Sequence, residues 1–181
     1  MGPPMPVNSR AKGARFERAI ANDIRVWLGE DWVVSRNPTD RQCGQDGENA
    51  GEFAIRGPHV FPFIIECKSG SGFDERQLFR DPVNGPLEAF WEQACRQADA
   101  AYVRQELGAA YRQPLLIARR TRGETLAFMR PAPSLVLAYE RWRHRMVIEI
   151  GRDGFDGDEL HVWRWNDLIN VPAIRLWEVS K

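Results

Sequence analysis

The stretch "FPFIIECKS", residues 61–69, decides how this chain is read. Positions 61–65 are wholly apolar, which predicts a strand covered on both faces. The stretch then closes on Glu66 and Lys68, and a buried strand should avoid both, because an unpaired buried charge is costly. Residues two apart in a strand share a face, so Ile64, Glu66 and Lys68 point one way and Phe63, Ile65 and Cys67 the other. The charges therefore sit where the strand emerges from the core. Glu-x-Lys by itself also describes a local ion pair on an edge strand. Acids elsewhere in the chain have to decide between simple pairing and chemistry.

Upstream, "EFAI" (52–55) predicts a short strand headed by Glu52 and placed to pair beside residues 63–67. The intervening "NPTDRQCGQDGENAG" (37–51) is almost devoid of apolar residues and predicts a loop. Asp46 and Glu48 within it are alternatives to Glu52 as an acidic ligand. "DWVVSR" (31–36) predicts a strand with Val33 and Val34 at its middle. From Ala11 to Leu28, the residues Phe16, Ile20, Ile24, Trp27 and Leu28 recur at helical spacing, and Gly29 closes the helix. Glu17 aligns with Ile20, Ala21 and Ile24, so it borders the apolar face of that helix. Residues 1–9, rich in proline, predict a flexible arm.

Downstream, "SGSGF" (69–73) predicts a loop. Leu87, Phe90, Trp91, Ala94, Ala98, Ala101 and Tyr102 then mark a second amphipathic helix ending near Gly108. "QPLLIARR" (113–120) and "ETLAFMR" (124–130) predict strands joined by a tight turn at Gly123. "LVLAYERW" predicts a helical segment, "RMVIEIG" and "ELHVWRW" a hairpin, and "NDLI" a short terminal helix. Core roles are expected for Trp27, Trp91 and Tyr102, and a hairpin core or a dimer contact for Trp163, Trp165 and Trp177. The order of elements predicts an α/β domain around a central mixed sheet flanked by helices. We divide it into the arm at 1–9, a core domain at 10–130 and a C-terminal extension at 131–181 that packs on the core or at a dimer interface.

Composition limits the function classes. The chain has 181 residues, enough for one domain with an ample core. Hydrophobic content of 43% and charged content of 28% are those of an ordinary globular protein. No apolar run approaches the ~20 residues that cross a bilayer, and "MGPPMPVNSRAKG" lacks a signal-peptide core. Cys43, Cys67 and Cys95 form no Cys-x-x-Cys pair, which points to reduced thiols in a cytoplasmic setting and away from a zinc knuckle. Net charge is zero, but cations gather at Arg10, Lys12, Arg15, Arg18 and Arg25, and acids between residues 40 and 81. A basic arm beside an acidic patch suits a protein that grips phosphates while holding a metal. Lysine occurs only at Lys12, Lys68 and Lys181. Position 68 thus keeps a compact ammonium in a chain that otherwise uses guanidinium.

Three carboxylates, Glu17, Glu52 and Glu66, each beside core-facing positions, would repel and raise one another's pKa. A divalent cation removes that conflict, and hard oxygen donors with few side-chain contacts suit Mg²⁺. An acid on a first helix, then Glu52 heading "EFAI", then "IIECK", resembles the PD-(D/E)XK nuclease superfamily. "KGARFERAI" followed by "VVSR" is similar, within it, to the archaeal-type Holliday junction resolvases that some phages also carry. The resemblance spans residues 10–120 and implies a restriction-endonuclease-like core. It also implies catalytic roles for Glu17, Glu52, Glu66 and Lys68, and a DNA-phosphate contact for Arg36. Family members form homodimers that cut four-way DNA junctions with Mg²⁺, for which Mn²⁺ substitutes.

In that scheme Glu52, Glu66 and Glu17 hold the metal, with the backbone carbonyl of Cys67 as a further ligand. Gln93 matches a glutamine that related nucleases place near the metal water or the DNA. Arg10, Lys12 and Arg15 would meet DNA phosphates without reading sequence. The chain departs from the pattern in carrying Glu52 where aspartate is usual, in a longer loop at 37–51, and in everything after residue 130. Another nuclease on the same fold, restriction-type or single-strand-specific, and a catalytically silent DNA-binding module are the competing readings.

Overall fold

The computed structural model describes residues 9–37, 51–70, 73, 74, 76, 78, 85–104, 112–137, 146–150 and 158–179. Cys43, Asp46, Glu48 and all of "YERWRHR" (139–145), His144 included, lie outside them. So does the expected helical segment beyond Leu137.

The first helix, α1 (Ser9–Leu28), buries Phe16, Ile20, Ile24 and Leu28, one residue per turn, and turns the intervening cations outward. Gly29 ends it in the left-handed region at φ 87, with its N–H donating to the Arg25 carbonyl. The Arg25 side chain then donates from Nε and Nη2 to the Val34 carbonyl, tying α1 to the strand β1 (Val33–Arg36). In β1 only Val34 faces inward, and Val33 is exposed.

Strand β2 (Phe53–Arg56) departs from expectation. It pairs antiparallel with β1, Val34 opposite Ile55, in a separate two-stranded ribbon. Its tie to β3 (Phe63–Ser69) is the Glu52 N–H, which donates to the Ile65 carbonyl at 2.8 Å. The cause is a turn at Gly51. Its φ of 79 swings the chain off β3, and a Cβ there would stand 2.7 Å from the Ile65 carbonyl oxygen. Only glycine reconciles that conformation with so close an approach.

β3 begins a five-stranded mixed sheet in the order β3-β4-β5-β7-β6. It runs parallel to β4 (Gln113–Arg119), which requires a crossover, and α2 (Pro86–Arg104) supplies it. β4 turns back into β5 (Thr125–Met129), with the Gly123 N–H closing the turn on the Arg120 carbonyl. After α3 (Pro131–Leu137) the expected hairpin forms between β6 (Met146–Ile150) and β7 (Asp158–Arg164). β7 also pairs with β5, so this hairpin extends the central sheet. The helices α4 (Trp165–Leu168) and α5 (Leu176–Val179) follow. The result is a mixed α/β domain, a sheet flanked by helices as in a restriction-endonuclease-like core.

Each face of the sheet carries its own core. Phe63, Ile65, Cys67, Leu115 and Ile117 pack with Phe16, Ile20 and Ile24 of α1. Leu116, Ala118 and Phe128 pack with Leu87, Trp91 and Ala94 of α2, while Ile64 meets Ala98 and Ala101 of the same helix. Tyr102, expected in this core, is half exposed at 50% because those two alanines already fill the inward positions of that turn. Trp163 and Trp165 are buried on the α1 side. Trp165 Nε1 donates to Asp23 Oδ2 of α1, and Trp27 Nε1 donates to the Val171 carbonyl.

Candidate active site at the end of β3

The alternation of β3 decides which neighbours its charges meet. Glu66 faces α2 and is wholly buried. Its Oε1 accepts a hydrogen bond from Gln93 Nε2 at 2.8 Å and an ion pair from Lys68 Nζ. Its Oε2 is buried and has no hydrogen-bond partner among the described residues. Lys68 lies 5.5 Å from the centroid of the Phe90 ring on α2 and reaches solvent past it. The aromatic face supports the ammonium, so Lys68 is held between a ring and a carboxylate.

Glu52 approaches from the free edge of β3. Besides its own bond to Ile65, its carbonyl accepts from the Asn37 N–H, and Asn37 Nδ2 donates to the Gly51 carbonyl. Asn37 thus holds the Glu52 segment from the end of β1. Its position in the turn-forming "NPTD" gave no sign of that task. The Glu52 carboxyl is pushed up to about 7, first by burial and then by the negative charges of Glu66 and Glu17, against the pull of Lys68 and Arg36. The Cys67 thiol, buried with the α1-side core, is raised well above its ordinary value by burial and the same three acids. It stays protonated, and only its backbone carbonyl is a candidate ligand.

Glu17 comes from α1, on the other side of β3, and forms an ion pair with Arg36 Nε at 2.9 Å. The guanidinium expected on a DNA phosphate is here paired with an acid of the site. Among the described residues, no three His, Cys, Asp or Glu side chains stand close enough to enclose an ion by themselves. Two donors nevertheless fit a hard cation. The bare Glu66 Oε2 needs a partner, and the ionised form of Glu52 needs a positive charge to offset burial and its neighbours. An ion served by two carboxylates keeps room for water and phosphate oxygens, the manner of Mg²⁺.

Arg10 lies in the first turn of α1. Lys12 and Arg15 line a cavity with the β4–β5 turn, past the end of β3. Gln93, expected from sequence near the metal water or the DNA, donates to Glu66.

A family model described as "Phage putative PDDEXK endonuclease" matches residues 8–171. The chain belongs to this family. The match runs past residue 130, where the motif resemblance ends, and takes in β6, β7 and α4. No curated protein and no solved structure matches. Membership in a PDDEXK endonuclease family makes the chain a nuclease by kinship, within a superfamily that generally uses divalent metals. No helix among the described residues is long and apolar enough to cross a membrane.

Proposed function

We propose that this phage PDDEXK chain is a Mg²⁺-dependent endonuclease that hydrolyses DNA phosphodiesters at four-way junctions as a homodimer. The observation that carries the chemistry is the divided Glu66 carboxylate. One oxygen is taken by Lys68 and Gln93, and the other is buried and unpartnered, while the charge of Glu66 is felt by the Glu52 carboxyl. Glu52, Glu66 and the Cys67 carbonyl would hold the cation, which supplies Lewis-acid activation of water and phosphate when bound. Glu17, held by Arg36, completes the negative surround.

Lys68 is the group that reaches the reacting atoms. Its ammonium, fixed against Glu66 and over Phe90, orients the attacking water and stabilises charge that builds on the phosphoryl oxygens. Gln93 positions Glu66 so that its second oxygen faces the cation. Lys12 and Arg15 contact the backbone phosphates. Junction choice rests on the likeness of "KGARFERAI" and "VVSR" to the resolvases, and a two-fold enzyme suits a substrate with two opposed strands to nick.

The test uses a labelled four-way junction and a matched linear duplex, each with Mg²⁺ and with chelator. Paired nicks across the junction, seen only with Mg²⁺, are expected, together with a dimer by light scattering. Equal cutting of the duplex would transfer the protein to a restriction-type activity. Binding without cutting in Mg²⁺ or Mn²⁺ would leave a silent DNA-binding module.

A further inference from the structure

Beyond the end of β3 lies a second feature, of which the proposed function uses only Lys12 and Arg15. A cavity of about 370 Å³ opens there, lined by Lys12 and Arg15 of α1, Ser69 at the end of β3, Arg119 at the end of β4, and Arg120 and Arg122 of the β4–β5 turn. That is many times the ~30 Å³ share of a water molecule. No carboxylate lines it. Among the described residues, none pairs with Lys12, Arg15 or Arg122. Arg120 meets Asp74 at 3.4 Å, an exposed and weak pair. The Arg119 guanidinium is braced at 4.7 Å over the Phe16 ring.

Two further observations show that the cavity is more than a surface with spare cations. Ser69 Oγ is buried and has no hydrogen-bond partner among the described residues. Arg122 stands in the left-handed region at φ 65, the one non-glycine residue there among those described. Glycine or asparagine is favoured at such a turn position, so arginine carries a backbone strain that its side chain must offset elsewhere. Like charges gathered without acids, with an unused hydroxyl, call for a polyanionic oxygen ligand.

We infer that this cavity is a DNA-phosphate subsite, seating the phosphate next to the scissile one on the strand that Lys68 serves. The inference rests on the nuclease reading and extends it: the β4–β5 turn, and Arg122 above all, is a DNA-binding element. Ser69 follows Lys68 at the end of β3 but turns to the α1 side, so a strand lying on the ammonium reaches the cavity by crossing the end of β3. The guanidinium groups take its non-bridging oxygens, and Ser69 Oγ donates to one.

The variant Arg122→Gly separates binding from folding, because it removes the cation and relieves the strain together. Thermal stability is expected to hold or rise. Affinity for a junction and for a duplex, measured in metal-free buffer so that no cutting intervenes, is expected to fall about five- to tenfold at ~150 mM salt. The slope of log affinity against log salt should shrink by about one.

Methylphosphonate substitution at single internal positions, and a 5′-phosphate against a 5′-hydroxyl end, locate the partner. One such change should weaken the wild-type protein and leave Arg122→Gly unaffected. An internal position supports a seat beside the scissile phosphate, and the 5′ end assigns the cavity to a terminal phosphate instead. Unchanged affinity and slope in Arg122→Gly, with wild-type DNA binding intact, would overturn the subsite. A wild-type protein that binds DNA but never cuts it would sink the nuclease reading and leave this result standing.

Discussion

Glu66 has two oxygens with different fates, and the chemistry follows from that division. Oε1 is neutralised by Lys68 and Gln93, while Oε2 is left for a cation. Lys68→Met is therefore expected to bind a junction as the wild type does and to lose cutting by at least ~10²-fold, the scale of one lost charge-stabilising donor. Gel-shift and cleavage assays on one substrate check both halves. Gln93→Ala should lower the affinity for Mg²⁺ about tenfold, read from the metal dependence of cutting, because Glu66 loses its orientation. Glu52 sets the pH behaviour. Its carboxyl sits near 7 in the folded protein against an ordinary 4.5, so between those values the folded chain keeps a proton that the unfolded chain has lost. The stabilising contribution is therefore whole below pH 4.5, declines as pH rises, and is gone above about 7, amounting to about 3 kcal/mol. Melting temperature in chelator should fall between pH 5 and pH 8. Mg²⁺ should restore it at pH 8 and do little at pH 5, where the proton holds the ligand. The Glu-x-Lys signal and the acids Glu17 and Glu52 were legible from type and spacing. The Glu17–Arg36 pair and the hold of Gln93 on Glu66 were not, since each joins residues from different elements.

Periodicity disclosed the elements, and their partners lay beyond it. α1, α2 and β3 follow from apolar spacing and a continuous apolar run, because each element buries a face that its own sequence marks. The pairing of β2 did not follow. A strand four residues long carries too little pattern to choose between β1 and β3, and the backbone at Gly51 made the choice. Gly51→Ala is expected to destabilise the protein by about 2–3 kcal/mol, combining left-handed strain with a clash on Ile65. A lowered denaturant midpoint with an unchanged slope checks this, and the variant should also bind Mg²⁺ less well because Glu52 rides on the same turn. A second buried polar link joins α3 to β7. Ser134 Oγ meets His161 Nδ1 at 2.9 Å and accepts from Trp163 Nε1 at 2.8 Å, with His161 Nε2 3.3 Å from Glu159. Packing explains this cluster. Ser134→Ala should cost about 2–3 kcal/mol, having stripped a buried indole N–H and an imidazole nitrogen of their partner, and the loss is readable by thermal melt.

Across the whole molecule, β6 and β7, which follow residue 131, are structural members of the five-stranded sheet. β7 lies between β5 and β6, and Trp163 and Trp165 are buried against the face that α1 covers. Truncation after Arg130 would expose the β5 edge and remove both tryptophans from the core. The shortened chain is expected to show no cooperative unfolding transition by circular dichroism. Composition and spacing alone were enough to establish an α/β domain and a charged terminus on its apolar strand β3. Those properties are local: each is written in residues a few positions apart, whose burial follows from periodicity. Folding alone selected the partner of β2, the faces from which Glu17 and Glu66 approach, the enlistment of Asn37, and the cavity shared by α1, β3 and the β4–β5 turn. These depend on contacts between distant segments, whose energies arise only when the chain has closed on itself.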